Sequence, residues 1–156
     1  MRIKSILTFL TIVLLTASCG HVYRKYDKKS FPTYSWKYGQ EIIFTPTIED
    51  INKSYNLVLG IRHLYGFQLS RINVTIKSIS PSGKEMIKDY EFNILKSDGK
   101  YIGSCSGDMC DLEAVVDENI KFEEAGQYKY VITHNVQVEK IPGIMEFGLI
   151  IDERDK

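Results

Sequence analysis

The chain has little of what enzymes and nucleic-acid binders need. Its 156 residues include three histidines, His21, His63 and His134, and three cysteines, Cys19, Cys105 and Cys110. No G-x-S-x-G nucleophile elbow occurs, and no glycine-rich phosphate loop. No catalytic residue can therefore be named. Lys plus Arg equals Asp plus Glu, at 20 each. A nucleic-acid binder would show a clustered basic excess, so that class is set aside. A structural zinc site needs about four ligands, usually arriving as two pairs. Only one close cysteine pair exists, and neither a metal nor a cofactor is expected. Beyond the first 18 residues no apolar run approaches the roughly 20 residues that cross a bilayer. No window sustains an apolar repeat of 3.6 residues; Ile120–Ala125 comes nearest to a helical turn.

What is present begins at the N-terminus. Arg2 and Lys4 precede an apolar run from Ile6 to Leu15, and Thr16-Ala17-Ser18-Cys19 follows. A charged start, a short greasy middle and small residues before a break make a secretory signal. A cysteine directly after the small residues is the bacterial lipobox pattern, although Thr16 stands where an aliphatic residue is commonest. The expectation is that residues 1–18 are a cleaved lipoprotein signal peptide and that Cys19 becomes the lipid-bearing first residue. One acyl chain holds a protein only marginally, whereas several anchor it stably. Residues 19–33 carry Arg24, Lys25, Lys28 and Lys29 with little periodicity, and read as a solvated tether. Neither Asp nor an acidic cluster follows Cys19, which leans toward an outer-membrane protein facing the periplasm.

Residues 34–156 read as one domain of strands. Tyr55, Leu57, Leu59, Ile61 and His63 alternate with Asn56, Val58, Gly60 and Arg62; Ile72, Val74 and Ile76 alternate with polar neighbours. Pro81-Ser82-Gly83-Lys84 is a turn, because Pro fixes one dihedral and Gly permits positive φ. It should join the Ile72 strand to Met86–Ile94 as a hairpin. Further strands are expected at Glu41–Pro46, Tyr101-Ile102, Leu112–Val116, Gln127–Asn135 and Ile144–Ile151. About eight short strands with turns between them predict an all-β fold, an antiparallel two-sheet sandwich of jelly-roll or immunoglobulin-like type.

Candidate sites are few. Cys105 and Cys110 flank a short glycine-bearing loop; in an oxidising compartment a disulfide is expected, with free thiols or half a metal site as alternatives. Asp98, Asp108 and Asp111 lie among glycines and read as turn formers, or as oxygen ligands for calcium. Trp36 and Tyr38, within an aromatic-rich stretch, could stack on a sugar or anchor a protein interface, or simply pack along the sandwich. His63 and His134 each fall in the apolar register of a strand, the usual place of a packing residue.

The second half carries a further pattern. Asp98-Gly99-x-Tyr101-x-Gly103, Gly107-Asp108-x-x-Asp111, Phe122-x-x-Ala125-Gly126-x-Tyr128 and Ile141-Pro142-Gly143-Ile144-x-x-Phe147-Gly148-Leu149-x-Ile151 follow in that order. Together with the lipobox they resemble the gliding-motility lipoprotein GldH family of Bacteroidetes. The resemblance implies a non-enzymatic envelope lipoprotein, partnered with other proteins of a motility or secretion complex. It transfers a defined chemistry only to Cys19. The competing reading is a lipid-anchored binding module for glycan or peptide.

Overall fold

In this computed structural model residues 21–154 are described. The expected signal peptide and Cys19 lie outside the described residues. The fold is all-β, with thirteen strands and no helix among the described residues. In chain order they are β1 (His21–Asp27), β2 (Ser35–Lys37), β3 (Ile42–Phe44), β4 (Thr47–Ile48), β5 (Tyr55–Leu64), β6 (Arg71–Ile79), β7 (Glu85–Asn93), β8 (Ser104–Ser106), β9 (Met109–Ile120), β10 (Gly126–Gln127), β11 (Lys129–His134), β12 (Lys140–Pro142) and β13 (Ile144–Glu153).

Two antiparallel sheets make the body. One has the order β1-β13-β5-β9-β8, the other β3-β11-β6-β7; the ribbons β2–β12 and β4–β10 complete the fold. Alternation decides what is buried. Leu57, Leu59 and Ile61 of β5 and Phe147, Leu149 and Ile151 of β13 form one buried cluster with Ile72, Val74 and Ile76 of β6 and Tyr130 and Ile132 of β11. Burying such a side chain stabilises by roughly 1.5–3 kcal/mol. The expected hairpin is present: β6 and β7 pair from Arg71↔Asn93 to Ile79↔Glu85 around the 80–84 turn.

The structure departs from the sequence reading in four places. The stretch read as tether contains β1, which pairs with β13 from His21↔Asp152 to Asp27↔Phe147. A register shift between His21 and Tyr23 lets the adjacent residues Val22 and Tyr23 both pack against the core, which hides the two-residue period. The strand expected at Leu112–Val116 extends to twelve residues as β9. Its second half lies at a sheet edge, because β8 covers only Met109–Asp111, so Asp117, Glu118 and Asn119 are tolerated there. Residues 121–125 form an irregular connection instead of a helical turn. Tyr101 makes a single bridge to Leu95, and the short strand lies later, at Ser104–Ser106.

The antiparallel register fixes two ends. At one lie His21, Asp152, Asn56 and Ile120, with the 49–54 and 121–125 connections. At the other lie Ile144, His63, Cys110 and the β8–β9 turn.

Candidate functional site

The second of these ends is tied into a rigid tip. Cys105 and Cys110 face each other across the β8–β9 hairpin and are joined by a disulfide, with Cα atoms 4.0 Å apart. The Tyr65 N–H donates to the Asp108 carbonyl at 2.8 Å, which ties the β5–β6 connection to this hairpin. The Gly66 N–H donates to Tyr101 Oη at 2.9 Å, and Tyr101 stacks at 5.5 Å from Tyr65 and 5.1 Å from His63. His63 is buried, with Nδ1 2.9 Å from the Leu64 carbonyl and its ring beside Phe67. Burial pushes its pKa below the ordinary 6.5, partly offset by that carbonyl. On this frame Tyr65 (64% exposed), Ile102 and Met109 present apolar surface. Exposed apolar groups on a rigid frame are a usual protein contact surface.

The outer face of the five-stranded sheet carries a second constellation. Tyr26, Gly148, Gly60 and Glu113 form one row across β1, β13, β5 and β9. The Tyr26 ring lies flat over both glycines. A Cβ on Gly60 would sit 2.1 Å from Tyr26 Oη, and one on Gly148 2.7 Å from the ring. Glycine is costly inside a strand, and here it makes room for that ring. The Tyr26 hydroxyl donates to Glu113, which also pairs with Arg24. Burial first, and then the Glu113 carboxylate, pushes the Tyr26 pKa up. Beside this row Arg62 grips both oxygens of Asp111, at 2.7 and 3.1 Å, and reaches Glu146 at 3.3 Å.

The third feature is a cleft of about 400 Å³ between β7 and the second half of β9, near the end that holds His21. Asp117, Lys88, Lys84, Glu123 and Glu124 in its lining are already partnered. Burial opposes ionisation of Asp117, but Tyr90 Oη at 2.7 Å and Lys88 Nζ at 2.9 Å outweigh it and hold the carboxyl below its usual range. The hydroxyls of Ser80 and Ser82 donate to Glu124 and lower its pKa; Lys84 pairs with Glu123 at 2.6 Å.

The residues singled out in the sequence have separate fates. Trp36 is 0% exposed, packed by Phe31, His134 and Phe147, and its indole N–H donates to the Gln40 carbonyl at 3.0 Å. It offers no face to a ligand, which corrects the stacking expectation at that position. Tyr38 is exposed, its ring edge on His134 at 5.7 Å. His134 is buried, and neither ring nitrogen meets hydrogen-bond geometry; burial lowers its pKa, although the backbone of Trp36, Lys37 and Val136 pulls the other way. Asp98 accepts from the Lys100 N–H within its own turn, Asp108 contributes its carbonyl, and Asp111 serves Arg62. No three His, Cys, Asp or Glu side chains converge on a metal position among the described residues. The Tyr26 row was missed. Its signal was two glycines, each in the middle of an apolar strand.

These features span the segment matched by a known family. The family model described as GldH lipoprotein matches residues 21–151. The chain belongs to the GldH lipoprotein family. The match takes in β1 and most of β13, so the Tyr26 row lies wholly within the GldH region. Two curated GldH relatives span nearly the whole chain. "Gliding motility lipoprotein GldH homolog" of Christiangramia forsetii is 25% identical, covering 97% of this chain and 96% of its own length. "Gliding motility lipoprotein GldH" of Flavobacterium johnsoniae is also 25% identical, covering 99% and 100%. Among solved structures, TmCBM61 in complex with beta-1,4-galactotriose aligns at 11% identity over 85% of this chain and 82% of that one, with a TM-score of 0.30. That likeness carries no argument.

Proposed function

We propose that this chain is a lipid-anchored, non-enzymatic lipoprotein of the cell envelope that acts as a structural or assembly component of gliding motility and its associated secretion machinery. The observation that carries the proposal is the GldH family match over residues 21–151, joined to the lipobox-like run Thr16-Ala17-Ser18-Cys19. The names of the curated relatives supply the motility association. The apolar tip of Tyr65, Ile102 and Met109 is the surface offered to other envelope proteins. The lipid sits in the outer membrane, with the sandwich in the periplasm.

Two of the cleft carboxylates are not set up as general acids. General-acid catalysis at neutral pH needs a carboxyl whose pKa is raised. Asp117 and Glu124 are shifted the opposite way by the groups that bind them. The test is affinity purification from the native envelope. Wild type should fractionate with membranes and bring motility or secretion proteins with it, and Cys19→Ala should lose membrane attachment. A wild-type protein recovered alone would contradict the assembly role.

A further inference from the structure

The Tyr26 row and the short distance from Cys19 to β1 together fix how the sandwich meets its membrane. Only Gly20 separates Cys19 from His21. Two residues span at most about 7 Å when fully extended. The polar layer on one side of a bilayer is about 5–8 Å thick. A lipid on Cys19 therefore leaves no stalk, and β1 starts at the headgroups. Nor does β1 have freedom to swing. It is paired along its length with β13, and Tyr26 and Arg24 pin it to Glu113 on β9, two strands further into the sheet.

We infer that the end of the sandwich formed by the 49–54, 80–84 and 121–125 turns lies directly against the bilayer surface, with the disulfide tip projecting away from it. This rests on the lipidation of Cys19. The register places those turns at the His21 end. His21 pairs with Asp152, Asp152 with Asn56, and Tyr55 with Ile120. Ser80 and Ser82 reach Glu124, which brings in the β6–β7 turn. The ten residues of β13 run from that end to the tip. At about 3.3 Å per residue, the tip stands roughly 30 Å from the surface.

The charge of this end shows what holds it there. Lys53, Lys84 and Lys121 stand among Asp50, Glu123 and Glu124, so no basic face attracts anionic lipid. Ile51, on the 49–54 turn, is exposed. The covalent anchor imposes the contact, and its strength should be indifferent to salt and to lipid charge.

The test uses the full-length lipidated protein in phosphatidylcholine vesicles containing a headgroup-spin-labelled lipid. A fluorophore is placed on Ile51→Cys or, separately, on Asp98→Cys, in the turn closed by the Leu95–Tyr101 bridge beside the tip, without reducing the native disulfide. Lys53→Cys replaces Ile51→Cys should that variant fold poorly. Quenching should be several-fold stronger at the 49–54 turn than at position 98, and should not change with added salt. Equal or reversed quenching overturns the orientation, and salt-released quenching overturns its cause. Vesicle flotation separates the two layers of the argument. Wild type that floats while quenching is equal leaves the anchor standing and removes only the orientation. Wild type that fails to float removes the anchor and, with it, the inference. A flexible insertion of about ten Gly/Ser residues after Gly20 should abolish the difference between the two positions, because such a linker reaches well beyond the headgroup layer.

Discussion

The two ends of the sandwich solve the same closure problem in different ways. At the tip three connections are cross-tied by a disulfide, a backbone hydrogen bond from Tyr65, a hydrogen bond from the Gly66 N–H to the Tyr101 hydroxyl, and a cluster of rings around buried His63. At the anchor end β7 and the second half of β9 stand apart over a cleft, and the ties across it are ionic and hydroxyl contacts near water. Exposed ion pairs contribute little, about 0–1 kcal/mol, whereas buried rings and a covalent link resist opening. The lesson is a division of labour. The stiff end can hold a fixed surface for a partner, and the open end is the one that the proposed orientation sets beside the lipid.

The comparison can be broken by substitution. The largest effect is expected from Trp36→Ala, which removes the largest fully buried side chain, among Phe31, His134 and Phe147. Such truncations cost about 3–5 kcal/mol, and thermal denaturation should show it. Gly60→Ala comes next. Its Cβ must lift Tyr26 off the sheet, at about 1–3 kcal/mol. In a Tyr26→Ala background the cost should shrink; an unchanged cost would mean the ring is not what the glycine accommodates.

Cys105→Ala with Cys110→Ala should cost about 2 kcal/mol, given the short loop enclosed. Hydrogen exchange should rise at Ser104–Asp111 and stay unchanged at Asp117–Glu124. An equal rise at both would erase the distinction between the ends.

Acid should separate them with a smaller effect. The pKa of buried His63 and His134 is lowered below 6.5, so the unfolded chain takes up protons first. Their contribution is whole above pH 6.5 and is lost as pH falls below it. Asp117 is also lowered, from 3.8, so its contribution survives until far more acid conditions. Melting temperature measured against pH should therefore fall first in the histidine window, and His134→Phe should flatten that part of the curve. The smallest effect belongs to Lys84→Gln, which removes an exposed pair with Glu123 and should leave the melting temperature unmoved.

How much was legible in the sequence follows the same physics. Strands with an apolar core face announced themselves: β6 alternates, and β5 and β13, buried on most of both faces, run apolar. β1 did not, because a bulge placed Val22 and Tyr23 on the core side together and the Tyr26 ring was used on the outer face. The disulfide was readable from spacing and compartment; the tip around it was not, since Tyr65, Tyr101 and His63 meet only through long-range pairing. Trp36 and Tyr38 looked alike as neighbouring aromatics. Only the fold separates them, burying the one and exposing the other.

The most direct measurement places a photo-crosslinking amino acid at position 65 or position 51 of the lipidated protein in its native envelope. The account predicts protein adducts from the tip at 65 and lipid adducts from the anchor end at 51. Protein adducts from 51 with none from 65 would contradict it.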